Sequence, residues 1–305
     1  MNVREWALIL FTILTQMSVG AFVVLGLVHT YALRKAGPEQ ADQLSDRALL
    51  AIGPVLVLGL IGSFGHLGNP LNAPRAITNL GTSWLSREIF FSVAFVVVGG
   101  VFALMQWRKL STFAVRNLVA WVAAVLGLIA VLSMSQVYML RTVPVWNTWT
   151  TPVSFFATTF LLGALAVGAA FVANYAYVQR KQPGCVSEQC VLLRDTARGI
   201  ALSAIGLLGV QFVVIPMYVA YLAGSADTAA ASQLITHQYA LVFILRLALV
   251  FVGAGVFGLF VYRNAMSAGR EKMLGNLMYA AFVCVLIGEV LGRYMFYAVH
   301  TGFGL

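Results

Sequence analysis

Eight runs of mostly apolar residues leave this chain few ways to fold. They cover roughly residues 6–33, 48–66, 88–107, 117–140, 152–178, 199–222, 239–262 and 275–299. Each is close to or above the ~20 residues that a helix needs to cross a bilayer core. The runs are continuous and lack the inside/outside alternation of barrel strands. The chain is 61% hydrophobic and 10% charged, whereas a soluble domain is about half apolar and a quarter charged. The reading is an all-α integral membrane protein: one eight-helix membrane domain over residues 1–305, with a pair of four-helix bundles as one packing open to it. The first run begins at Trp6 and is about twice the roughly 7–15-residue core of a signal peptide, so it reads as a span.

Lys and Arg set the expected orientation. Thirteen of the 19 fall in the first, third, fifth and seventh connections: Arg34, Lys35 and Arg47; Arg108, Lys109 and Arg116; Arg180, Lys181, Arg194 and Arg198; Arg263, Arg270 and Lys272. The other side carries Arg4, Arg75, Arg87 and Arg141. This asymmetry predicts a multi-pass protein with both termini outside the cytoplasm, periplasmic if the membrane is a bacterial inner membrane. The net charge of +9 then reflects topology rather than a nucleic-acid partner.

The most polar insert, residues 64–90 (FGHLGNPLNAPRAITNLGTSWLSREIF), joins the second and third runs. His66 closes one run and Glu88 opens the next, so an imidazole and a carboxylate flank one loop at the predicted outer face. That pairing suits a hydrogen-carrying lipid such as a quinol, whose hydroxyl proton must pass to a base within hydrogen-bond reach. Histidine, with an ordinary pKa of ~6.5, is suited to accept it. Other polar groups inside the runs cluster toward the same side: Arg246, Glu289 and Arg293 in the outer halves, Tyr138 and Arg141 at an outer end, Gln16 and Gln211 near the middle. Toward the other side His29 stands nearly alone. A site open to one surface above an apolar seal is expected.

Plainer roles are open to each residue. His66 could cap its helix. Glu88, just after Ser86, could sit in a first turn where the helix dipole favours a carboxylate. Glu289 and Arg293, four apart, could form a local ion pair, and Arg246 could pair with Glu289 across helices. Gln16 could be interhelical glue. Trp84, Trp146 and Tyr138 could wall a quinone entry or belong to the interfacial aromatic belt.

Two rival functions compete with this reading. A haem-bearing quinol cytochrome needs histidines facing each other at matching depth, and His29, His66, His237 and His300 offer no such pair. A secondary transporter needs broken helices about a midplane site, for which Pro54, Pro216 and the Gly-rich runs give slight support. Cys185 and Cys190 are too few for a metal cluster, and Cys284 lies within the last run; no metal site is expected.

Three segments resemble the DmsC-type membrane anchors of dimethyl sulfoxide reductases: EWALILFTILTQMSVGAFVVLGL (5–27), the insert with its HLGNP and NLGTSWLSRE, and GEVLGRYMFY (288–297). The resemblance extends over all eight runs. It implies an anchor that oxidises menaquinol in anaerobic respiration, carrying no haem or iron–sulfur cluster itself. Electrons would pass to a four-cluster iron–sulfur subunit and on to a molybdopterin catalytic subunit. On the orientation above, these partners would dock on the periplasmic face, over the 67–87 insert and over residues 223–238, which carry no Lys or Arg. The resemblance also implies roles in quinol oxidation for the histidine of HLG and the glutamate of SRE, here His66 and Glu88. The expected pocket is bounded by His66, Glu88 and Gln16, with Arg75 and Tyr138 as further contacts to menaquinol or menaquinone. With His66 taking the first proton and Glu88 relaying toward outer water, no net charge would cross the membrane.

Overall fold

The computed structural model describes residues 3–39, 41–42, 77–181, 188–265 and 270–299. These residues form α1 (Val3–Ala36), a short 3-10 turn (Ile77–Asn79), α2 (Trp84–Arg108), α3 (Phe113–Val137), α4 (Thr150–Lys181), α5 (Glu188–Ala223), α6 (Ala226–Gln233), α7 (Ala240–Asn264) and α8 (Glu271–Ala298). Seven of these helices are long and apolar enough to cross a membrane, and they coincide with seven of the eight expected runs. The run at 48–66 lies outside the described residues. No strand occurs among the described residues.

Local chemistry accounts for several boundaries. Ser83 caps α2, its hydroxyl accepting from the Ser86 backbone N–H at 3.3 Å. Thr112 caps α3 in the same way through Val115. Glu88 is therefore the fifth residue of α2, beyond the first turn, and Ser83 rather than Ser86 is the N-cap. α5 passes Pro216 without a break, so the broken helix expected of a transporter is not made there. A π-helical turn at Leu234–Gln238 precedes α7, and a second occupies Phe251–Phe257 within it. Each locally widens the helix and re-aims the side chains beside it.

α1 and α4 are the central helices. In their most apolar stretches 78% and 72% of residues are buried, against 17% in α7, whose exposed leucines and phenylalanine suit contact with lipid. α4 packs against α1, α3, α5 and α8, and so joins the α1–α3 group to the α5–α8 group. Glycine permits the α1–α4 crossing. A Cβ at Gly20 would lie 1.8 Å from the Thr159 carbonyl oxygen, and one at Gly163 would lie 2.2 Å from the Gly20 backbone. Small residues of this kind let membrane helices approach closely where lipid supplies little hydrophobic drive between them.

The two ends of the helix array differ chemically. At the basic face, Asp42 accepts from Lys109 at 2.8 Å and from Arg116 at 3.1 Å, and Gln106 ties Asp42 to Arg116. Arg116 is buried, and His29 stacks on Phe113 at 4.9 Å. Lys35 pairs with Asp195 between α1 and α5. The expectation that His29 stands nearly alone at this end is therefore corrected: a polar network surrounds it. Between this network and the opposite face lies an apolar layer of Met17, Val19, Phe22, Leu25, Phe95, Phe102 and Val131, all buried. Phe22 meets Phe95 and Phe102 edge-on at 5.5 and 5.7 Å.

Candidate functional site

At the opposite face four helices bring polar side chains together inside the protein. Gln16 of α1 is fully buried, and its Oε1 accepts a hydrogen bond from the Arg293 guanidinium of α8 at 2.9 Å. Among the described residues its Nε2 faces the Met134 sulfur of α3, at 4.0 Å, which is a weak acceptor. Arg293 is 5% exposed, and its guanidinium lies over the Phe155 ring at 3.7 Å. Cation–π contact and one strong hydrogen bond are what keep this charge tolerable away from water.

Tyr138, at the end of α3, and Tyr297 of α8 share a hydrogen bond between their hydroxyls at 2.8 Å. Both rings sit in an aromatic cluster with Trp146, Phe155 and Phe296. Trp146 stacks on Phe296 at 5.3 Å and donates its indole N–H to the Phe296 carbonyl at 2.8 Å. It therefore braces the site from one side.

Glu88 is 7% exposed, and its carboxylate lies within electrostatic range of both Tyr138 and Tyr297. Among the described residues it has no hydrogen-bond partner. Glu88, the tyrosine pair and the second Gln16 N–H together offer an acceptor and donors to an oxygen-bearing ring.

The expected site residues are thus partly gathered. Gln16, Glu88 and Tyr138 lie at one end of the helix array. His66 and Arg75 lie outside the described residues. Arg87 is engaged locally: it donates to the Leu80 and Gly81 carbonyls at 2.8 and 2.7 Å and stacks on Trp84. Two expected ion pairs are not made. Glu289 instead accepts from Thr158 and from Gln211, each at 2.6 Å, so neutral donors from α4 and α5 take the place of Arg293 and Arg246. Sequence reasoning does not find Tyr297 or Met134. For Tyr297 a signal exists, since Glu289, Arg293 and Tyr297 recur every four residues and share one face of α8. The free cysteine among the described residues, Cys284, is partly buried in α8.

This assembly reaches across nearly all of the sequence, from Gln16 to Tyr297, and so does the match to known proteins. Residues 1–299 match the family described as "DMSO reductase anchor subunit (DmsC)". The chain belongs to that family. Three relatives of similar length agree. The C subunit of the anaerobic dimethyl sulfoxide reductase of Escherichia coli (strain K12) is 30% identical over 307 aligned positions, covering 99% of this chain and 97% of that one. The anaerobic dimethyl sulfoxide reductase subunit YnfH of the same organism is 27% identical, covering 99% and 97%. The corresponding C subunit of Haemophilus influenzae is 27% identical, covering 99% and 96%. Membership and the seven long apolar helices together make this a multi-pass membrane anchor subunit. For an anchor subunit of the DmsC family, a polar cluster buried at one end of the helix array is the natural place to look for membrane chemistry.

Proposed function

We propose that this chain anchors a molybdopterin/iron–sulfur oxidoreductase of the dimethyl sulfoxide reductase type in a bacterial inner membrane and oxidises menaquinol for it. In this reading eight helices cross the bilayer, both termini are periplasmic, and the partner subunits dock on the periplasmic face. The observation that carries it is Glu88: a carboxylate only 7% exposed, within electrostatic range of the Tyr138–Tyr297 pair, at the end of the helix array that also holds Gln16.

Quinol oxidation releases two protons and two electrons. Quinol enters from the outer leaflet. Gln16 and the Tyr138–Tyr297 pair orient the ring oxygens, and Arg293 holds Gln16 in place. His66 takes one hydroxyl proton, and Glu88 passes protons toward outer water. The electrons leave to an iron–sulfur partner at the same face, so this chain needs no redox metal of its own. The layer around Phe22, Phe95 and Phe102 keeps protons from the basic face.

The test compares two electron donors in the purified complex. His66→Arg and Glu88→Gln should lower quinol-driven turnover by about 10²-fold or more, the usual scale for a positioned acid or base. Reduction driven by an artificial dye that feeds the partner subunits directly should be unchanged. Wild-type quinol turnover in both variants would remove these residues from the reaction.

A further inference from the structure

A cavity of about 80 Å³ lies between α4, α5, α7 and α8; Arg293 lines it and Gln16 does not. Arg246, Glu289 and Arg293 line it, with Thr151, Ser154 and Thr158 of α4. Glu289 is 2% exposed, and both its carboxylate oxygens accept hydrogen bonds, from Thr158 and Gln211. Neutral donors thus occupy both oxygens. Neither guanidinium forms an ion pair with it.

The donors left over are specific. Arg293 gives one terminal N–H to Gln16. Its Nε–H and the Nε–H of Arg246 are both buried without an acceptor among the described residues. Arg246 is brought to the cavity wall by a gap in α8: a Cβ at Gly292 would lie 2.5 Å from its Nε. It projects from the segment of α7 between the two π-helical turns. Among the described residues two guanidinium groups, Arg293 buried and Arg246 half-buried, face one carboxylate, an excess of one positive charge.

Size and wall chemistry narrow the ligand. About 80 Å³ compares with the ~10–15 Å³ of such space that one water molecule needs, room for a small ion and a few waters. Ring-bearing ligands occupy pockets of roughly 300–1,000 Å³, well above this volume. Thr151 and Ser154 already donate their hydroxyl protons to backbone carbonyls, leaving the two arginines as the main donors. The remaining wall includes the apolar Val214, Ile215 and Phe243, which favours an anion that sheds water readily. We propose that this cavity binds one small, weakly hydrated monovalent inorganic anion, of the chloride or nitrate class, between Arg246 and Arg293. It neutralises the excess charge and ties α7 to α8. The site stands independently of the quinol reading.

The full-length protein, purified in mild detergent with any subunits that accompany it, is exchanged into gluconate and titrated with chloride, bromide or nitrate at fixed pH and ionic strength. The unfolding midpoint should rise by a few degrees and saturate. Arg246→Gln should abolish the rise. Glu289→Gln, which adds to the positive excess, should move the half-saturating anion concentration at least several-fold lower. If Arg246→Gln does not fold, bromide replaces the variant: its anomalous scattering in wild-type crystals should peak between the two guanidinium groups. A midpoint that is the same in gluconate, chloride and nitrate overturns the proposal. So does a dependence that survives Arg246→Gln, or a bromide peak elsewhere only.

Discussion

Arg293 donates to the Oε1 of Gln16 at 2.9 Å, joining the last helix to the first across 277 residues of sequence. The contact is buried on both sides. Removing the acceptor strands a guanidinium N–H in an apolar setting, whereas removing both partners does not. Gln16→Leu should cost about 1.5–3 kcal/mol, the range for a hydrogen bond to a charged group. The double variant Gln16→Leu with Arg293→Met should recover part of that loss, because it leaves no buried charge behind. Unfolding midpoints of the single and double variants check this. Additive losses would show that the two side chains do not act as a pair.

The α1–α4 crossing makes a steric prediction. Gly20→Ala places a methyl group 1.8 Å from the Thr159 carbonyl oxygen, so the helices must separate. The expected cost is about 1–3 kcal/mol or more. Gly206→Ala, on an exposed stretch of α5 with nothing within 4 Å of the new Cβ, should be neutral or stabilising by up to ~1 kcal/mol. Thermal unfolding of both variants separates packing from helix propensity.

Much of this architecture is legible in the sequence, and the reason is solvent. Lipid demands long apolar helices, so the runs announce themselves, and seven reappear as long apolar helices. Partner choice is not legible. Four-residue spacing makes a Glu289–Arg293 pair look natural, but Thr158 and Gln211 reach Glu289, and Gln16 reaches Arg293, from helices whose approach no local pattern records. Glu88 and Tyr138 stand out as candidates in the sequence, yet their common neighbour Tyr297 comes from the far end of the chain. Asp42 is likewise invisible, because a carboxylate in a loop gives no sign of the arginine it will meet.

That Asp42 network carries a pH signature. Partial burial alone would raise its pKa, but hydrogen bonds from Lys109 and Gln106 and the charges of Lys109 and Arg116 prevail and hold it below 3.8. A carboxylate more acidic in the folded protein than in the unfolded one stabilises the fold above its unfolded pKa. That contribution fades as pH falls through the lower, folded value. Asp42→Asn should therefore lower the unfolding midpoint at neutral pH, and the gap to wild type should shrink as pH drops below 4. A constant gap would assign the effect to packing.

The aromatic layer predicts silence in an electrical measurement. With the proposed quinol site on one side of Phe22, Phe95 and Phe102 and the Asp42–Arg116 network on the other, protons released by quinol stay on the side of the Glu88 cluster. The complex reconstituted in sealed vesicles should turn over quinol while a voltage-sensitive dye records no membrane potential. A potential that grows with turnover would mean that a proton path crosses the layer.

The location of quinol chemistry is tested most directly by photo-crosslinking. A photoreactive menaquinol analogue, irradiated with the intact complex, should label residues around Gln16, Glu88, Tyr138 and Tyr297, and excess menaquinol should suppress the label. Suppressible labelling confined to the basic-face ends of the helices, around His29 and Arg116, would contradict the account.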